Sequence, residues 1–128
     1  MIEHKVKYPD LRKQTGRYGE QIAADYLIEQ GYRIVDRNWR CRSGEIDIIT
    51  SKDGVLAFVE VRTRRMTGHF GSAKESVGFR KQMQVRQTAQ VYLYQRAAFD
   101  QPIRMDVITV ELSLEGELSM VEHICGAF

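Results

Sequence analysis

Two carboxylates and a guanidinium occupy positions where a strand-rich segment gives them chemical weight. Asp47 lies in Gly44-Glu45-Ile46-Asp47-Ile48-Ile49, and Glu60 follows the apolar run Leu56-Ala57-Phe58-Val59, with Arg62 two residues further on. An ionised carboxylate in an apolar strand is costly unless it is paired or bound to a metal. Between the two segments stands Ser51-Lys52-Asp53-Gly54, a hairpin-type turn. The segments therefore read as antiparallel neighbours, and pairing about Asp53 brings residue 47 near residues 58 to 60. Two acids from adjacent strands suit Mg²⁺ or Mn²⁺, which take oxygen ligands and keep waters that a phosphate can displace. By the two-residue period of a strand, Arg62 shares a face with Glu60, where it can oppose a phosphate or a developing negative charge. By the same period Glu45, Asp47 and Ile49 point one way, and Ile46 and Ile48 the other. A third acid, Glu20, borders an apolar helical face beside Ala23, Ala24 and Leu27.

The elements that must position these groups follow from periodicity. Gly19, Ile22, Ala23, Tyr26 and Leu27 recur at helical spacing, so a helix begins at Gln14 or Thr15 and ends at Gly31. Strands are expected over 32–40, 45–50 and 55–63. A mobile loop is expected over 64–76. A second helix follows over 77–98, with Val85, Ala89, Tyr92 and Leu93 on one face and Arg80, Gln84 and Gln87 on another. Pro102 breaks the chain, and strands over 103–112 and 118–124 complete the order α-β-β-β-α-β-β. Residues 1–13 are polar and contain Pro9, and they read as a flexible basic arm ahead of a single domain over 14–128.

The chain has 128 residues, 43% hydrophobic and 28% charged, which is ordinary globular composition. The net charge of +2 does not by itself indicate a polyanion partner. Its distribution says more. Arg62, Arg64, Arg65, Lys74, Arg80, Lys81 and Arg86 fall in one stretch with a single acid, Glu75. Asp106, Glu111, Glu115, Glu117 and Glu122 share the last stretch with a single base, Arg104. Charge segregated in this way can give one basic face to a nucleic acid. Arg64, Arg65, Lys74, Arg80, Lys81 and Gln84 are the expected contacts. No apolar run is long enough for a membrane span, and the first residues lack the apolar core of a signal peptide. Cys41 and Cys125 are isolated, and His4, His69 and His123 are scattered, which argues against a zinc knuckle and fits a reducing cytoplasm. There is no phosphate-binding Gly-x-x-x-x-Gly-Lys-Ser/Thr loop.

The pattern Asp-x12-Glu-x-Arg, with an acid on a preceding helix, resembles the active site of the PD-(D/E)xK nuclease superfamily. More narrowly, the chain is similar to the YraN-like family of bacterial proteins, which resemble Holliday-junction resolvases and restriction endonucleases. Its landmarks are Gly19-Glu20-x-x-Ala23-Ala24-x-x-Leu27, Gly31-Tyr32, Asn38-Trp39-Arg40, Gly44 to Ile49, Phe58-Val59-Glu60-Val61-Arg62, and Arg104-Met105-Asp106-Val107. The resemblance implies a restriction-endonuclease-like α/β fold, its central mixed sheet flanked by the two helices. It implies a metal site of Asp47, Glu60 and the backbone carbonyl of Val61, with Glu20 as a further acid. It implies a Mg²⁺-dependent endonuclease acting on branched or unusual DNA. The superfamily typically has lysine where this chain has Arg62. Arginine stays protonated and cannot act as a general base, but it can orient water or stabilise charge.

Plainer roles stand beside these. Asp47 can pair with Arg37 or Arg40, and Glu45 reads as a surface salt-bridge partner. Glu20 can be a first-turn acid favoured by the helix dipole, and Arg62 a structural partner of Glu60. Arg104 and Asp106 read as a structural pair, and Trp39 as a core anchor. Two other functions are compatible with the pattern: a nuclease-fold module that binds nucleic acid without cleaving it, and a protein–protein adaptor built on the second helix. A two-fold symmetric junction as substrate would favour a homodimer, although no dimer seam can be read from the sequence.

Overall fold

The computed structural model describes residues 12–65 and 76–128. Residues 1–11, most of the expected basic arm, lie outside this range, as does Lys74. The elements are α1 (Arg12–Glu29), β1 (Arg33–Cys41), β2 (Gly44–Lys52), β3 (Val55–Arg65), α2 (Phe79–Gln95), β4 (Ile103–Leu112) and β5 (Leu118–Ile124). They follow the order expected from periodicity. The five strands form one sheet in the order β1-β2-β3-β4-β5. β1, β2 and β3 are joined by tight turns and run antiparallel, whereas β4 lies parallel to β3. A parallel neighbour requires a crossover, and α2 supplies it. β5 returns antiparallel to β4, so the sheet is mixed.

The helices cover opposite faces. Ala23, Ala24 and Leu27 of α1 pack on Ile48, Ala57, Val59, Ile108, Val110 and Leu112. Val85, Ala89, Tyr92 and Leu93 of α2 pack on Ile46, Ile49, Leu56, Phe58 and Met105. β3 and β4 are buried from both sides, which explains their near-continuous apolar sequence. Trp39 is the anchor expected of it, and its ring meets Tyr92 edge-on at 5.1 Å. Asp53 and Gly54, at φ 51° and 80°, make the tight β2–β3 connection with the positive φ that a primed hairpin turn requires. Among the described residues no helix is long and apolar enough to cross a membrane.

α1 begins at Arg12, so Arg12 and Lys13 belong to the helix and not to the arm, and Glu20 lies beyond its first turn. The expected faces of β2 also fail. Ile46 and Ile48 do not share a face: Ile46 and Ile49 lie under α2, whereas Ile48 lies under α1. β1 turns over at the same level, since Trp39 packs toward α2 while Arg37 reaches Gln21 on α1. The register places Asn38 opposite Asp47 at this point, and Asn38 has φ 51°. A left-handed residue inside a strand breaks the two-residue alternation that the sequence pattern assumes.

α1 sits close to β3 because Gly19 has no side chain. A Cβ at Gly19 would run into the Thr63 side chain. Gly19→Val should therefore destabilise the chain by about 1–3 kcal/mol, read as a lowered midpoint in chemical denaturation. Thr63→Ala should recover part of the loss, and an unchanged midpoint for Gly19→Val would contradict this packing.

Candidate functional site

The β2–β3 ladder runs from Lys52↔Val55 to Ile48↔Val59 and stops one pair short of Asp47 and Glu60. The Asp47 side chain takes over there: its Oδ2 accepts a hydrogen bond from the Val61 N–H at 2.8 Å. This single contact fixes the Asp47 carboxylate against the Glu60–Val61–Arg62 segment of β3. It forms where the β2–β3 ladder has ended.

Glu60 is 5% exposed. The cation facing it is Lys81 of α2, at 3.7 Å. Burial raises the Glu60 pKa to about 7, the negative charge of Asp47 adds to the rise, and Lys81 and Arg62 oppose it. The pKa of Asp47 is also raised, first by burial and then by the charge of Glu45, against the Val61 N–H, Lys81 and Arg62. Glu20, on α1, follows the same pattern, raised by burial, by Asp47 and by Glu45. The structure thus gathers Glu20, Glu45, Asp47 and Glu60 at one end of the sheet, where they repel one another's charge. Arg62 stands beside the pair, and its Nε is buried without a hydrogen-bond partner among the described residues.

Glu45 does pair with Arg40, at 2.8 Å, as its surface role requires. It also adds to the charge felt by each of the other three acids. Its spacing of two residues from Asp47 was the available signal for this. Asn38 stands in the sequence as a landmark beside Trp39, with no role at the acids expected of it. With its amide oriented so that Nδ2 faces the acids, it donates to Glu20 Oε2 and to Glu45 Oε1, each at 3.1 Å. Asp47, by contrast, makes its hydrogen bond to backbone rather than to Arg37 or Arg40.

The expected nucleic-acid contacts separate into groups. Arg64 pairs with Glu111 of β4 at 3.0 Å, and Arg65 donates to the Leu114 carbonyl at 3.2 Å. The charge blocks that are separate along the chain are therefore partly joined in space, because the parallel β3–β4 register sets Arg64 against Glu111. Lys81 turns inward to Glu60, and Gln84 donates to the Ser43 carbonyl at 3.1 Å, tying α2 to the β1–β2 turn. Arg80 is exposed on the first turn of α2.

Arg104 and Asp106 form the expected structural pair, with Arg104 Nε 2.8 Å from Oδ1. The sequence did not show that His123 and the Gly126 N–H join it, at 2.8 and 3.0 Å. Burial raises the proton affinity of Asp106, but hydrogen bonds from His123, Arg104 and Gly126 overcome this and leave its pKa at about 2. This network, near the start of β4, ties β5 and the C-terminal turn to that strand.

The donors around Asp47 and Glu60 are all oxygens, and the buried charge of the pair is incompletely balanced by Lys81 and Arg62. That set fits a hard divalent cation rather than a soft one. A mixed five-stranded α/β domain with a desolvated carboxylate cluster at one sheet end is the class of protein defined here.

The sequence profile described as Uncharacterised protein family UPF0102 matches residues 19–110, and the chain belongs to that family. This is the YraN-like family indicated by the sequence landmarks. A UPF0102 protein of Caldicellulosiruptor bescii is 39% identical over 117 residues, spanning 91% of this chain and 98% of its own. That of Myxococcus xanthus is 42% identical, spanning 94% and 93%, and that of Syntrophotalea carbinolica 46%, spanning 91% and 93%. Among solved structures, Pyrococcus furiosus SfsA in complex with Ca²⁺ is 13% identical with a TM-score of 0.38, over 86% of this chain and 62% of that one.

The raised Glu60 pKa has a stability consequence. The folded chain keeps a proton on Glu60 up to about pH 7, whereas the unfolded chain releases it near its ordinary value of 4.5. Stability is thus fullest below that value and falls as pH rises toward 7, by up to about 3 kcal/mol. Glu60→Gln cannot titrate. In EDTA, its unfolding free energy should decline less between pH 5 and 8 than that of the wild type. Equal slopes would contradict the burial of a charged Glu60.

Proposed function

We propose that the chain is a metal-dependent endonuclease of restriction-endonuclease-like fold, acting on branched or otherwise irregular DNA. The observation that carries this reading is the pair of desolvated acids, Asp47 pinned to Val61 and Glu60 beside it on β3, with Arg62 on the same strand. Asp47 and Glu60 would hold Mg²⁺ or Mn²⁺, with the Val61 carbonyl as a further oxygen ligand and Glu20 and Glu45 adding negative potential. A divalent ion held there supplies Lewis acidity toward a phosphate oxygen.

The remaining work falls to the chain's own groups. Arg62 brings a permanent positive charge to the phosphoryl group as negative charge builds on its oxygens. Being always protonated, it withdraws no proton from water. Lys81 counters Glu60 and so limits the rise in its pKa, leaving part of that carboxylate ionised near neutrality. Arg80, exposed at the start of α2, grips the phosphate backbone without reading sequence. Arg64, Arg65 and Lys74 extend the same basic stretch in sequence, and Gln84 shapes the adjoining turn. Junction substrates with two-fold symmetry would call for two copies of the chain.

Arg62 also favours a second reading, a nuclease-fold module that grips nucleic acid without turnover. Both are tested on a labelled four-way junction with Mg²⁺ or Mn²⁺. The enzymatic reading expects cleavage that Asp47→Ala and Glu60→Ala each abolish and that excess EDTA stops. Product that persists unchanged in EDTA would overturn it. Salt-sensitive binding with no cleavage in any divalent ion, and cleavage gained by Arg62→Lys, would establish the binding module instead.

A further inference from the structure

The described non-glycine residues at positive φ are Asn38, Asp53 and Ala97. Asp53 belongs to the β2–β3 turn, and Ala97 follows the end of α2, so chain reversal accounts for both. Asn38 lies inside β1, with Arg37 and Trp39 both paired to β2, and no turn requires its conformation. Asparagine tolerates the left-handed region better than most side chains, but it still holds it at a cost. Something local must offset that cost.

The side chain shows what does. With Nδ2 turned toward the acids, the orientation that satisfies both amide atoms, it donates to Glu20 on α1 and to Glu45 on β2 through two hydrogens of the same nitrogen. Those carboxylates repel one another and Asp47. An uncharged double donor is the group that can hold two such acids together without neutralising either. A lysine there would cancel the negative potential, and an aspartate would add to the repulsion. The same residue sits in the wall of an open cleft formed with Gly16, Arg17, Glu20, Arg40 and Glu45. The clasp thus lies in a cleft that opens Glu20 and Glu45 to solvent.

We infer that Asn38 is a positioning residue that clasps Glu20 and Glu45 around Asp47 and thereby sets the divalent-cation affinity of the site. This rests on the metal reading of Asp47 and Glu60 proposed above. Residues that orient charged groups around a metal typically change affinity by about 10–100-fold when removed.

The test is a calorimetric Mn²⁺ titration of the metal-free chain, paired with thermal unfolding in EDTA. Glycine accepts positive φ at no steric cost, so Asn38→Gly removes the amide and keeps the backbone. The expected result is Mn²⁺ affinity reduced by about tenfold or more, with a melting temperature no lower than wild type. In a chain carrying both Glu20→Gln and Glu45→Gln, the Asn38→Gly step should lose its effect, because the groups it acts through are gone. Unchanged affinity in Asn38→Gly overturns the inference, as does a full effect in the double-Gln background. A parallel fall in affinity and melting temperature marks a merely structural role and overturns it too. A wild-type chain that takes up no Mn²⁺ fails earlier and differently, since it removes the metal reading itself.

Discussion

Burying two like charges next to each other is among the more expensive arrangements a small domain can hold. Asp47 and Glu60 do this where the β2–β3 ladder ends, within β2 and in the middle of β3, and much of the local structure is organised around making it tolerable. The Val61 N–H neutralises part of one carboxylate, Lys81 approaches the other, and Arg62 lies beside both. None of these contacts is a close, two-pronged ion pair of the kind that Arg104 makes with Asp106. The contrast is informative. At Asp106 the fold spends four hydrogen bonds to quiet one acid, and its pKa falls; at Glu60 the charge is left unsettled, and its pKa rises.

The sheet makes this possible through a defect. A regular ladder would carry β2–β3 pairing through Asp47 and Glu60 and place Ile46 and Ile48 on one face. Instead β1 and β2 turn over together at Asn38 and Asp47, so Asp47 lies where both α1 and α2 approach. Groups from α1, β1, β2, β3 and α2 then meet at one sheet end. Gly19 contributes at a distance, since the close approach of α1 to Thr63 brings Glu20, the next residue, to the cluster.

Most of the fold could be read from the sequence. The apolar spacing of Ile22, Ala23 and Leu27, the β2–β3 turn at Asp53-Gly54 and the crossover helix between β3 and β4 each rest on local periodicity or turn chemistry. The failures share one origin. The two-residue alternation cannot foresee a left-handed residue in mid-strand, so it misassigns the faces of Ile46 and Ile48 and shows Asn38 only as a landmark beside Trp39, not as a partner of the acids. Charge counting along the chain likewise missed that parallel pairing sets Arg64 against Glu111. His123 reads as one of three scattered histidines because its partner Asp106 is distant in sequence and comes near through the β4–β5 pairing. Proximity of Asp47 to Glu60, by contrast, follows from hairpin register alone.

The central claim is that these two acids form a receptor for a hard divalent ion. Crystals soaked in Mn²⁺ and measured at a wavelength where manganese scatters anomalously test it most directly. The account predicts an anomalous peak between the carboxylates of Asp47 and Glu60, within coordinating distance of an oxygen from each. Density confined to surface carboxylates, with Lys81 closing onto Glu60 in place of the ion, would contradict it.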